Sequence, residues 1–187
     1  MEYIALGAAS FVIYFFFDIF TLKNEVIKKM IFGISGIILL VYSTYKIIVL
    51  SEKVTYFSPT IRLISSVLFI VSLLLLIYSL FLEIPFSKTY GKNEHNTELV
   101  DTGTYALCRH PGVLWLGLVF FFLYFITSVN LVLYAGVIWS FINVIYVVLQ
   151  ERYIFNKMFP DYEKYIKNTP MLIPNRQSIK KFIKTIT

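Results

Sequence analysis

GVLWLGLVFFFLYFITSVNLVLYAGVIWSFINVIYVVL, from Gly112 to Leu149, holds two apolar runs separated only by Thr127, Ser128, Val129 and Asn130. No Lys, Arg, Asp or Glu interrupts the stretch. Crossing about 30 Å of hydrocarbon takes roughly 20 helical residues at 1.5 Å each. Only a helix closes its own backbone hydrogen bonds in lipid, and the runs lack the period-two alternation of a barrel strand, so two helices are predicted. So short a connection makes them an antiparallel hairpin. The segments before Gly112 and after Leu149 then meet at one membrane surface, although nearly forty residues lie between them.

Outward from the hairpin, similar apolar runs extend from Tyr3 to Phe20, Ile31 to Leu50 and Ile61 to Leu82. Of the 187 residues, 58% are hydrophobic and 15% charged, with a mean hydropathy of +0.73, far from the balance of a water-soluble domain. The expected fold is all-α: a polytopic integral membrane protein of about five transmembrane helices. It forms one domain over residues 1–187. Residues 1–82 supply three spans, 83–111 a cytoplasmic loop, 112–149 the hairpin, and 150–187 a basic cytoplasmic tail at the interface. The single cysteine, Cys108, forms no internal disulfide or thiolate cluster and reads as a small packing residue. MEYIALGAAS lacks the positive n-region of a signal peptide, so the first run is expected to be a retained helix.

The charge distribution gives the orientation. With five spans, the loop from Thr21 to Met30, the loop from Glu83 to Pro111 and the tail share one face. That face holds all seventeen Lys and Arg except Lys46, Lys53 and Arg62. Basic residues near spans stay on the cytoplasmic side, so the N-terminus is expected outside and the C-terminus inside. A net charge of +6 distributed in this way calls for no nucleic acid partner. The tail interleaves its basic residues with Tyr153, Phe155, Phe159, Tyr162 and Tyr165, a composition suited to anionic lipid. Asp18 and Lys46 lie near span ends, where side chains snorkel to headgroups.

LVDTGTYALCRHPGVLWLG, Leu99 to Gly117, carries the chemistry-bearing residues. Pro111 suits the first turn of a helix, which sets Arg109 and His110 at that helix's positive end. An Arg fork there holds a carboxylate or phosphate in two parallel hydrogen bonds. Gln150 and Glu151 emerge across the hairpin at the same surface. Together these residues make a bipolar site able to take a zwitterion. The same residues also admit a plain structural reading: Arg109 as an anchor, His110 as a headgroup-facing cap, Glu151 in an interfacial ion pair. His110 and His95 offer no metal-ligand spacing.

VDTGTYALCRHP, the membrane hairpin, the acid at its exit, and FPDYEKYIKNTPMLIP resemble the C-terminal half of the isoprenylcysteine carboxyl methyltransferase and phospholipid methyltransferase group. The resemblance spans Leu99 to Pro174. It implies S-adenosylmethionine bound at the cytoplasmic surface and a lipophilic or prenylated acceptor entering from the bilayer. By position it assigns cofactor binding to Arg109, His110 and Glu151, with Tyr105, Gln150, Tyr162 and Tyr165 beside them, and it assigns no catalytic residue. The chain departs from the family pattern at Val113 and Trp115, where Tyr and Gly are usual, at Gln150, where an acid is usual, and at Met171, where a basic residue is common.

The implied reaction is in-line transfer of a methyl group from a sulfonium, in which the protein's main task is alignment. A membrane reductase of the sterol reductase type is the alternative enzyme class, since it too places Arg-His-Pro near a membrane hairpin and binds NADPH. A non-catalytic membrane protein that keeps the old cofactor site as a joint is the third.

Overall fold

The computed structural model describes residues 1–84 and 99–186. Lys88, Lys92 and His95 lie outside the described residues. Those described form α1 (Glu2–Leu22), α2 (Val26–Leu50), α3 (Pro59–Ile77), a short α4 (Gly103–Leu107), α5 (Pro111–Thr127), α6 (Asn130–Gln150), α7 (Tyr162–Asn168) and α8 (Arg176–Ile186), with no strand among them. α3 continues through a wider π-helical turn, Tyr78–Leu82. α6 continues through another, Glu151–Phe155, and a final turn, Asn156–Met158.

Four helices are long and apolar enough to cross a membrane: Glu2–Leu22, Val26–Leu50, Pro59–Leu82 and Asn130–Met158. α5 is apolar throughout but has only 17 residues, about 25 Å at 1.5 Å per residue. The helix starts follow from local chemistry. Ser58 caps α3, its hydroxyl accepting from the Ile61 amide with Pro59 in the first turn. The loop expected from Thr21 to Met30 contracts to Lys23–Glu25, because Asn24 adopts a left-handed turn (φ 55°) and α2 begins at Val26. Asn is among the few residues that tolerate this conformation. Lys28 and Lys29 thereby enter the start of α2.

α1 packs between α2 and α6, α6 packs on α5, and α5 on α3. The hairpin is tighter than its sequence suggested: Ser128 and Val129 alone join α5 to α6, with Ser128 left-handed at φ 62°. The connection between α2 and α3 docks at this same end. Val54 N donates to the Ser128 carbonyl (3.2 Å), and Arg62 Nη2 donates to the Ser128 hydroxyl (3.2 Å).

α1 and α6 run parallel, since Trp139 Nε1 donates to the Ile4 carbonyl (2.8 Å) and, further along both helices, Gln150 Nε2 donates to Asp18 (2.9 Å). Trp139 is fully buried and lies directly on Gly7, where any side chain would collide with the indole. Gly36 gives Tyr14 the same close approach. Ser10 and Ser43, fully buried within α1 and α2, return their hydroxyls to their own helix carbonyls. Small residues at helix contacts are the usual solution where lipid, rather than water, surrounds the bundle. The outward faces agree: only 17% of residues in the apolar stretches of α2 and α3 are buried. Ile34, Ile38, Val41, Leu63, Val67 and Leu74 point away from the protein. Water would penalise each such side chain by about 1.5–3 kcal/mol relative to burial, and hydrocarbon removes that penalty.

Candidate functional site

Pro111 starts α5 and leaves Arg109 and His110 just ahead of it, outside any helix. Their amides donate to the carbonyls of Pro170 (2.9 Å) and Met171 (3.2 Å), so the chain leaving α7 lies alongside the motif. On the opposite side α6 passes from Gln150 into its π-helical turn, a distortion that often accompanies functional positions. That turn aims Glu151 at the motif.

The Glu151 carboxylate is the hub. Arg109 grips it in bidentate fashion, Nε to Oε1 at 2.7 Å and Nη2 to Oε2 at 3.1 Å. His110 Nε2 lies 2.8 Å from Oε1, donating when that nitrogen carries the proton, and the Tyr162 hydroxyl donates to the same oxygen at 3.1 Å. Arg109 Nη1 turns the other way, to the carbonyls of Thr169 (2.7 Å) and Ile166 (3.2 Å). The side chains of Arg109, His110 and Glu151 are 9%, 6% and 16% exposed, so the cluster is nearly closed to solvent. The His110 ring stacks on Phe155 at 5.9 Å between centroids and an interplanar angle of 15°. Phe155 in turn packs on Phe159 and Tyr162.

Burial works against the Arg109 charge, but the Glu151 carboxylate more than compensates and raises the guanidinium pKa. Burial, then the Glu151 charge, push the Tyr162 hydroxyl upward, so it remains a neutral donor. Burial likewise raises Tyr165. Cys108, 1% exposed, is pushed up to about 11 by burial, which fits a packing residue rather than a nucleophile.

Of the residues the sequence singled out, the structure unites Arg109, His110, Glu151 and Tyr162. The others turn elsewhere. The Tyr105 hydroxyl donates to the Ser79 carbonyl (3.0 Å), while its own carbonyl receives the Tyr165 hydroxyl (2.7 Å). These two tyrosines fasten α4 to α3 and α7. Gln150 faces α1, where its amide and the Tyr146 hydroxyl (2.6 Å) both donate to Asp18.

Asp18 is therefore not a snorkelling side chain. It is 3% exposed and enclosed by protein, because the Tyr146 and Gln150 donors replace the water or headgroups it would otherwise need. His110, 7% exposed, is turned onto Glu151 rather than toward headgroups. Two further participants escaped the sequence reading. Glu83 accepts from the Thr104 amide (2.6 Å) and hydroxyl, and so secures the start of α4 at the end of α3. Thr169 is 1% exposed and its hydroxyl finds no partner among the described residues, although its carbonyl holds Arg109. Tyr146 and Gln150 stand four apart on α6, a one-face spacing that points toward a shared partner without revealing which.

No family model, curated protein or solved structure matches the chain.

Proposed function

We propose that the chain is an S-adenosylmethionine-dependent methyltransferase of the membrane, acting on a lipophilic or prenylated acceptor. The observation that carries this reading is the pairing of Arg109 with Glu151 beneath the aromatic residues of the tail. A guanidinium fork and a carboxylate in contact are the complement of a zwitterion divided between them. Opened, Arg109 takes an α-carboxylate and Glu151 an α-ammonium. The Thr169 hydroxyl beside Arg109, without a partner among the described residues, fits a site with a polar bond still to make.

The cofactor, when bound, supplies the electrophilic methyl group. The chain's own residues do the positioning. Arg109 stays charged throughout, held by Glu151 and the Thr169 carbonyl until the ligand replaces Glu151. His110 and Tyr162 then continue to orient the Glu151 carboxylate, and Phe155, Phe159 and Tyr162 exclude water from the exchange. In the proposed topology α5 completes a fifth crossing, the N-terminus lies outside, and the site faces the cytoplasm.

One observation favours a second reading. Arg109 and Glu151 satisfy one another directly, as they would in a permanent joint between tail and hairpin. Calorimetry on purified protein separates the possibilities. S-adenosylmethionine binding that weakens at least tenfold in Arg109→Ala and Glu151→Ala supports the methyltransferase. NADPH binding alone would move the chain to the reductase class. Binding of neither at millimolar concentration leaves the joint.

A further inference from the structure

α8 carries three distinct faces in eleven residues, RQSIKKFIKTI. Ser178, Lys181, Phe182 and Thr185 recur at three- and four-residue spacing and turn to the protein. Ser178 is 1% exposed, Lys181 Nζ forms a 2.6 Å ion pair with Asp101, and Thr185 accepts from the Gly103 amide at 3.1 Å. The second face is apolar yet outward: Ile179 and Ile183 are 42% and 51% exposed. The third is basic, with Arg176, Lys180 and Lys184 all exposed.

The position of α8 says what these exposed faces meet. α8 packs on α4, and α4 is tied through Thr104 to Glu83, the residue that follows the membrane-length helix Pro59–Leu82. α8 therefore sits where α3 leaves the apolar layer. An apolar strip bordered by cations at that level matches acyl chains beside anionic headgroups. Against an acidic soluble protein or a nucleic acid, exposed Ile179 and Ile183 would have no use.

We propose that α8 binds the anionic phospholipid surface and, through Thr185 and Lys181, couples leaflet charge to the seating of α4 and of the Arg109 segment that follows it. The inference needs only the membrane reading and stands whether or not the site transfers methyl groups. Anionic lipid holds α8 down, α8 holds Gly103 and Asp101, and the short α4 delivers Arg109 to Glu151.

Amide hydrogen exchange on the full-length protein tests this, in nanodiscs of phosphatidylcholine and in nanodiscs with about a third phosphatidylserine. Phosphatidylserine should raise protection across residues 176–186, and at Gly103 and Thr104, by tens of fold up to about a hundredfold for three cations. About 0.5 M salt should cancel most of the gain. The triple variant Arg176→Ala, Lys180→Ala, Lys184→Ala should lose it while the transmembrane amides stay unchanged, which shows that the protein remains folded. Thr185→Ala should keep the gain in α8 and lose it at Gly103. Equal protection in both lipids overturns the proposal, and a lipid response in α8 with none at Gly103 in the native chain overturns the coupling. Polyglutamate or an oligonucleotide protecting α8 as strongly in neutral nanodiscs would assign the face to a soluble partner and also overturn it.

Discussion

The Arg109–Glu151 pair makes a prediction whose size follows from the geometry. Glu151→Ala strands two guanidinium nitrogens, together with His110 Nε2 and the Tyr162 hydroxyl, in a cluster whose Arg109 side chain is 9% exposed. Arg109→Ala leaves a carboxylate, 16% exposed, with only His110 and Tyr162. Removing one partner of a buried pair costs about 3–5 kcal/mol, and the residual exposure puts both variants near about 3 kcal/mol. The double variant removes the guanidinium and the carboxylate together and leaves neither facing an empty place, so it should lose far less than the two single losses combined. The expected coupling is at least about 2 kcal/mol. Unfolding free energies from denaturant titration in lipid–detergent micelles, followed by tryptophan fluorescence, close the cycle. Additivity within about 0.5 kcal/mol would show that the pair does not exist in the membrane and would refute the reasoning. Repeating the cycle with saturating S-adenosylmethionine tests the proposed function on the same axis. A ligand that separates Arg109 from Glu151 must reduce their coupling, and an unchanged value speaks for a permanent joint.

Three further outcomes follow from other parts of the bundle. Cys108, raised from 9.0 to about 11, holds its proton more tightly folded than unfolded. Its contribution to stability is therefore complete below about pH 9 and lost as pH rises toward about 11; iodoacetamide should spare it in native protein near pH 8 and modify it readily in denaturant, and rapid native labelling would contradict its burial. Gly7→Val drives a side chain into the Trp139 indole and should destabilise by about 1–3 kcal/mol with a shift in tryptophan emission. Gly117→Ala, whose new Cβ meets only Ser140 Oγ at 3.4 Å among the described residues, should leave both readings unchanged. Asp18→Leu removes the acceptor that the Tyr146 hydroxyl and the Gln150 amide share, leaving the 2.8 Å bond from Gln150 to the Tyr146 hydroxyl, and should cost about 1–3 kcal/mol; Asp18→Asn, which keeps an acceptor, should cost less, and equal losses would mean that those bonds do not hold α1 to α6.

The hairpin, the helical class and the meeting of Arg109 with Glu151 were legible because each follows from chain-local physics. An apolar run needs a helix, a turn of a few residues makes it double back, and the two flanks then have nowhere else to go. What escaped the sequence depended on rotation about helix axes. Nothing in the one-dimensional pattern says that Gln150 turns to α1 while its neighbour Glu151 turns to the motif. The wider turn beginning at Glu151 and the parallel run of α1 beside α6 decide that. Asp18 looked like a span-end residue for the same reason: depth along a helix can be counted, whereas the face that meets a neighbour cannot. Tyr105 and Tyr165 sit in the segments that flank the hairpin, yet their hydroxyls serve Ser79 and Tyr105 carbonyls, contacts between segments far apart in the chain.

Lipid changes what these polar contacts are worth to the fold. In water, apolar burial would drive the helices together; among acyl chains that force is absent, and association depends on close packing and on polar groups that have no better partner. The bundle has both devices, at different levels. Gly7 against Trp139 and Gly36 against Tyr14 bring backbones near along the shafts. At one end, Arg62, Ser128 and Asn130 fasten the connections; at the other, Asp18 with Gln150 and Glu151 with Arg109 diverge from adjacent residues of one helix to two different neighbours. Gln150 and Glu151 thus join α1 to the Arg-His-Pro segment through a single turn of α6. Any ligand that draws Glu151 away from Arg109 must act on that turn, so loosening at Asp18 is the expected companion of binding. Exchange at the Tyr146 and Gln150 amides that is indifferent to ligand would show the two halves of the turn to be independent.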